Sequence, residues 1–331
     1  MFPASEKYDP PMNTLQITNI LGDISLKVKV SSSVTDPICH LLAAPKSTTR
    51  RAKITAVMSA PRAYLAIDIG GSKTLLAVFS TTGKLLKKIK FVTPKNYRIF
   101  IKELSKCLQE ELSDWQFALA CCGAPGIVDR QRGLGLVFGN LPWKRISLKA
   151  DLERLLDVGV LVENDANLAG LGEALLVHKR YRKVLYLTIG TGIGDGIIID
   201  GKIDLNFADS EAGHMLIEHD DRVAKWEDFA SGKAIKKRYG RLASEIEDPR
   251  IWNEYAKAVA TGLNELLAVI KPDIVIIGGG VGEHFDRFDK ALGRELTTHP
   301  HKMVPIPEIV KAKRPGEAVI YGCYEYIKQN I

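Results

Sequence analysis

The stretch Leu65-Ala66-Ile67-Asp68-Ile69-Gly70-Gly71-Ser72-Lys73-Thr74-Leu75-Leu76-Ala77-Val78-Phe79 decides the fold. An apolar strand runs into a glycine turn that carries one acid and several small donors, a second apolar strand leaves it, and Thr82-Gly83-Lys84 turns the chain again. The same plan returns at Tyr186-Leu187-Thr188-Ile189-Gly190-Thr191-Gly192-Ile193-Gly194, then Ile197-Ile198-Ile199 and Asp200-Gly201-Lys202. One such hairpin reads equally well as a tight turn between core strands. Two of them, together with Gly278-Gly279-Gly280 after the strand at 274–277, indicate a duplicated phosphate-holding unit in a nucleotide-using enzyme.

Outward from these turns the pattern stays regular. Strands are expected at 64–69, 75–80, 86–92, 117–121, 159–162 and 274–277, with the second hairpin over 184–204. Helices are expected at 96–113, where Phe100, Ile101, Leu104, Leu108 and Leu112 keep helical spacing, and at 148–156, 163–177, 225–239 and 251–270. Strand–helix alternation in both halves gives an α/β class. At 331 residues the chain has room for two domains. They are expected at 62–164 and 165–315, with a helix in 316–331 packing back on the first.

Residues 1–61 differ in texture. Pro3, Pro10, Pro11 and Ser31-Ser32-Ser33 break periodicity, and the stretch around 21–30 makes a hairpin at most. The run 37–67 is basic and free of acids, which fits either a transit segment or an extension upstream of a start at Met58. A poorly ordered extension without catalytic residues is expected.

The net charge of +7 admits nucleic acid, a membrane surface, an anionic substrate or an unspecialised basic surface. Its cations are spread along the chain, and no apolar run is long enough to span a bilayer. Five cysteines, an odd number without framework spacing, read as free thiols in a reducing, cytoplasmic setting, with Cys121 and Cys122 buried.

In the first turn, Gly70 and Gly71 offer backbone N–H groups, with Ser72, Lys73 and Thr74 as side-chain donors. Asp68, acceptor-only in that company, suits Mg²⁺ or a metal-bound water. The Walker spacing is absent here, and at the second turn Asp195 and Ile197 stand where a Rossmann fingerprint needs glycine. Asp165 follows a strand and starts a helix, so it is either the helix cap or a base at the mouth of an α/β sheet. Glu211, His214 and Glu227 could bind a metal or a polyhydroxy ligand, and Trp143 either stacks on a sugar or is buried.

As a set, over 64–327, these segments resemble the ROK family of sugar kinases and repressors. That resemblance implies a duplicated two-domain actin-like ATPase (ribonuclease H-like) fold with a cleft between the domains. It implies that Asp68 to Lys73 and Gly190, Thr191, Gly192 and Gly194 hold ATP phosphates, and that Gly278, Gly279 and Gly280 lie beside adenosine. Gly126, Asn140, Asn164, Glu211, His214 and Glu227 would contact the sugar, with Asp165 as the base that deprotonates its hydroxyl. ATP and Mg²⁺ are the implied cofactors and a homodimer the expected assembly.

Two positions depart from the family pattern. Relatives often carry a cysteine-rich zinc loop after the Gly-His pair, whereas 218–225 here has no cysteine, so no zinc is expected and His214 is left as a sugar contact or a structural residue. Asp195 stands where relatives often have a small residue, and a carboxylate beside phosphates would repel them unless it faced Mg²⁺ or pointed away. Polyphosphate is an alternative donor. A sugar-sensing regulator is the alternative from another class, disfavoured because 1–60 shows no pair of amphipathic helices for a helix-turn-helix.

Overall fold

The computed structural model describes residues 14–17, 26–29, 62–298 and 303–331. It divides into two units, 1–58 and 59–331. In the first unit, β1 (Thr14–Ile17) pairs antiparallel with β2 (Leu26–Lys29), so the hairpin expected around 21–30 begins earlier than its sequence suggested. The other expectations for 1–61, and Cys39, lie outside the described residues.

The second unit opens with three antiparallel strands, β3 (Arg62–Ile69), β4 (Lys73–Ser80) and β5 (Leu85–Val92). Helix α1 (Tyr97–Glu111), capped by Asn96, crosses over to β6 (Gln116–Ala124), which lies parallel to β3. A small sheet of β7 (Ile127–Asp129), β8 (Leu134–Val137) and β9 (Lys144–Ile146) follows, a meander the sequence did not announce. Helix α2 (Leu148–Leu156) then leads to β10 (Val160–Asn164), completing the sheet order β10-β6-β3-β4-β5.

Helix α3 (Asp165–Ala174) starts without a break, and the plan repeats: β11 (Lys183–Ile189), β12 (Ile193–Ile199) and β13 (Lys202–Ile203) run antiparallel. The segment expected to be a zinc loop in zinc-bearing relatives is here the hairpin β14 (Leu216–His219) and β15 (Arg222–Lys225). Its turn, Asp220-Asp221, has both φ values positive, the geometry that matches strand twist in a two-residue hairpin.

The helix expected over 225–239 is broken by Ser231 into α4 (Trp226–Ala230) and α5 (Gly232–Tyr239). After α6 (Pro249–Ile270) come β16 (Ile274–Gly278), the short α7 (Gly279–Gly282), α8 (Asp289–Thr298) and β17 (Glu308–Lys311). The sheet order β13-β12-β11-β16-β17 reproduces the first sheet, with β16 and β17 parallel to β11. The duplication read from two glycine turns is thus a duplication of a whole strand plan.

The central strands of the two five-stranded sheets are buried on both faces, which explains strands as continuously apolar as Leu65 to Ile67. One face of the first sheet packs Leu65 and Ile67 on Phe100 and Leu104; one face of the second packs Leu185 and Leu187 on Val259 and Leu263. The other faces meet α3 and the last helix, α9 (Ala318–Gln329). Leu168 of α3 joins Ala66, Cys121 and Ile320 against the first sheet, while Ala169 and Leu171 join Tyr186 and Ile198 against the second. Helix α3 therefore lies between both sheets, and its first residue is Asp165. Cys121, Cys122 and Cys323 are buried free thiols. Among the described residues no helix is long and apolar enough to cross a membrane.

Candidate active site

Between the sheets lies a cavity of about 1140 Å³, above the usual range for a single small ligand and roomy enough for a sugar and a nucleotide together. Gly71, Gly126, Asn140, Asn164 and Asp165 line one wall, and Gly190, Thr191, Gly192, Gly194, Glu211, His214 and Glu227 the other.

The first turn closes through a Gly70 N–H bond to the Lys73 carbonyl at 3.0 Å. At Gly71 a Cβ would come within 2.9 Å of Asn140 Cβ, so the close approach of these loops requires glycine. Lys95 joins them, its ammonium donating to the carbonyls of Gly71 (2.9 Å) and Asn140 (3.1 Å). Sequence reasoning passed over Lys95, since a single lysine in a loop carries no signal of its own. Trp143 is buried and donates its ring N–H to the Lys95 carbonyl, so it braces this loop and does not stack on a ligand. Thr74 is fully buried and its hydroxyl pairs with that of Thr93 at 2.9 Å, so the side-chain donor expected there is spent inside the fold.

Asp165 is not the helix cap. The Asn164 side chain accepts from the N–H groups of Ala166 (2.8 Å) and Asn167 (3.0 Å), and its amide donates to the Gly126 carbonyl at 2.9 Å. Asn164 thus ties the Gly126 turn to the start of α3, while one of its two amide N–H groups has no partner in these bonds and the residue lines the cavity. Asp165, one residue inside the helix, accepts from Ala166 N–H at 2.9 Å and keeps its carboxylate at the cavity wall.

Enclosure by protein pushes Asp165 up to about 7, aided by the charge on Asp68 and opposed by the Ala166 N–H. Asp68, at the end of β3, is also pushed up to about 7 by burial, with Lys90 pulling the other way. Both are only partly exposed, and Asp165 keeps its open face at the cavity wall, so low-dielectric surroundings and an accessible face coexist there.

Behind Asp165 lies an ionic cluster that the sequence did not reveal. Glu163, fully buried, receives two bonds from Arg130, at 2.6 and 2.7 Å, and one from Asn167 at 3.0 Å. Arg130 also bonds Asp209 and the Ala208 carbonyl. Residues from both sheets' sides of the cavity thus converge beneath the Asn164-Asp165 step, since Glu163 also accepts from Asn164 N–H at 2.7 Å.

In the second turn Gly190 N–H bonds the Gly192 carbonyl at 2.9 Å, and Gly232 N–H, at the start of α5, bonds the Gly190 carbonyl at 2.7 Å. Glu227 accepts from Ile193 N–H at 3.4 Å and meets His214 Nε2 at 3.3 Å. Asp195 points away from this turn: its carboxylate accepts from the Ser210 hydroxyl and from Ala212 N–H (2.9 Å). Asp195 still lines the cavity, with both carboxylate oxygens already engaged.

Asp68, Gly70, Ser72, Lys73 and Thr74 do not themselves line the cavity, nor do Gly278, Gly279 and Gly280. The last three form the turn after β16, close to the second glycine loop: a Cβ on Gly279, where φ is +78°, would strike Ile189 and Thr188. Among the described residues no three His, Cys, Asp or Glu side chains converge as a metal cage. A divalent ion would instead take one or two carboxylates and complete its shell with phosphate and water, the usual arrangement for Mg²⁺. Asp68 fits that role, a half-enclosed carboxylate with no hydrogen-bond donor on it among the described residues.

Residues 64–330 match the ROK family, and the chain belongs to it. It is 25% identical to the glucokinase of Streptomyces coelicolor, over 80% of this chain and 97% of that one. It is 28% identical to an N-acetyl-D-glucosamine kinase of Salmonella newport, over 77% and 95%. Among solved structures, the ROK family glucokinase of Streptomyces griseus in complex with glucose and AMPPNP superposes with a TM-score of 0.69 at 25% identity, covering 81% of this chain and 99% of that one. The duplicated α/β architecture is the actin-like ATPase fold of these sugar kinases.

Proposed function

We propose that this protein is a sugar kinase that transfers the γ-phosphoryl group of ATP to a hexose hydroxyl, at O6 of glucose or a close relative. The observation that carries the reading is the placement of Asp165: released from capping by Asn164, seated at the cavity wall, and shifted to about 7. A carboxylate with that affinity for protons is matched to accept one from an alcohol at neutral pH.

Asp165 takes the proton of the sugar hydroxyl; that oxygen forms the new bond to the γ-phosphorus, and the bond from phosphorus to the bridging oxygen of ADP breaks. The sugar lies against Gly126, Asn140, Glu211, His214 and Glu227, with Asn164 fixing the turn beneath it. The turn of Gly190, Thr191, Gly192 and Gly194 surrounds the phosphate oxygens, its Gly190 N–H being spent on closing the turn, with Gly70, Gly71, Ser72 and Lys73 serving the transferring group and Gly278, Gly279 and Gly280 the adenosine. Asp68 would hold Mg²⁺, which when bound supplies neutralising charge for the phosphates.

A second reading, polyphosphate as donor, draws support from Arg222, Lys233 and Lys237, which line the cavity without ion-pair partners among the described residues. A coupled assay of glucose, mannose, fructose and N-acetylglucosamine against ATP, GTP and polyphosphate, with and without Mg²⁺, separates them. ATP- and Mg²⁺-dependent turnover of a hexose is expected. Turnover with polyphosphate alone supports the second reading, and sugar binding without transfer to any sugar rejects both.

A further inference from the structure

Asp195 is a nearly fully buried carboxylate on β12 that the proposed chemistry does not use. Both of its oxygens are engaged, one by the Ser210 hydroxyl and the other by Ala212 N–H at 2.9 Å. These two donors flank Glu211. The 3₁₀ turn that follows, Ala212–His214, lies so close to β12 that a Cβ on Gly213 would stand 2.3 Å from the Ile193 carbonyl. At the other end of the loop, the Ala208 carbonyl accepts from Asn167 at 2.8 Å and from Arg130 at 2.7 Å. The loop 208–214 is therefore pinned at both ends, and its cavity-lining residues are Ser210, Glu211 and His214, beside Asp195 itself.

We propose that Asp195 is a positioning residue for the acceptor sugar: by holding Ser210 and Ala212 it presents Glu211 and His214 to the cavity, and sugar affinity depends on it while donor affinity does not. This rests on the reading of Glu211 and His214 as sugar contacts. Asparagine can reproduce the arrangement, with its carbonyl accepting from Ala212 N–H and its amide donating to a rotated Ser210 hydroxyl. Alanine cannot, and leaves a buried N–H without its acceptor.

The test measures glucose, N-acetylglucosamine and ATP binding by calorimetry, and hydrogen exchange over 208–214, in the full chain and its D195A, D195N and S210A variants. D195A is expected to weaken sugar binding about tenfold to a hundredfold, the effect of a lost buried hydrogen bond or two. ATP binding stays within about twofold and exchange across the loop accelerates, D195N remains within about threefold of the parent, and S210A falls between. Unchanged sugar affinity in D195A, or a loss of ATP affinity as large as that for sugar, overturns the proposal. If D195A does not fold, unchanged exchange and affinity in S210A overturns it. If the parent protein binds neither sugar, the sugar-kinase reading fails on its own, while loop exchange in D195A indistinguishable from the parent overturns the pinning role separately.

Discussion

Burial first, and the charge on Asp68 second, push Asp165 up to about 7 at the junction of β3, β10 and α3. Asp68 is raised to about 7 as well. Burial disfavours the charged form of each acid, and the charge on Asp68 further disfavours that of Asp165.

The ligand-free protein should lose stability as pH rises from about 4 to about 7. Both groups titrate near the ordinary aspartate value of 3.8 when unfolded and at about 7 when folded. In that window the folded state holds protons that the unfolded state has released, so raising the pH favours unfolding. Thermal melts across pH 4 to 8 check this. Asp165→Asn should flatten the profile and raise the melting temperature at pH 8; a profile equally steep in the variant would remove these acids as its cause.

Gly322 on α9 lies against α3 so tightly that a Cβ there would stand 1.8 Å from the Leu168 carbonyl. Gly322→Ala should therefore destabilise the protein by about 3 kcal/mol or more, since backbone on both sides must move. Chemical denaturation measures the effect, and a cost under about 1 kcal/mol would mean the helices separate easily.

Lys95→Ala removes the ammonium that links the Gly71 and Asn140 carbonyls. Because Lys95 is exposed, stability should change by less than about 1 kcal/mol. Steady-state kinetics should instead show higher KM for both substrates, with Lys95→Arg recovering part of the loss. Unchanged KM values would show that the two loops keep their relation without the bridge.

The strand plan was legible because doubly buried strands are continuous apolar runs, and the two turns because glycines mark them. The cavity lining was legible in part: Asp165, Glu211, Glu227 and the glycines from 190 to 194 lie on it, whereas Asp68 and Gly278 to Gly280 do not. What stayed hidden depends on contacts across the fold. Asp165 could be read as cap or base from the sequence, and Asn164 emerged as the cap only when the direction of each side chain was seen. Arg130 and Glu163 stand 33 positions apart and meet only through the β6–β10 pairing. Thr74 has the composition of a phosphate donor and the burial of a core residue. The meander β7–β9 escaped notice because its strands are too short to show alternation.

The central claim is that Asp165 accepts the proton. The direct measurement is single-turnover phosphoryl transfer by the full chain and by Asp165→Asn, with sugar affinity measured on the same samples. The account predicts a fall in transfer rate of about 10³-fold, the scale of general-base catalysis, with sugar binding retained because the amide keeps its Ala166 contact. Transfer at a near-parental rate in the variant would contradict it.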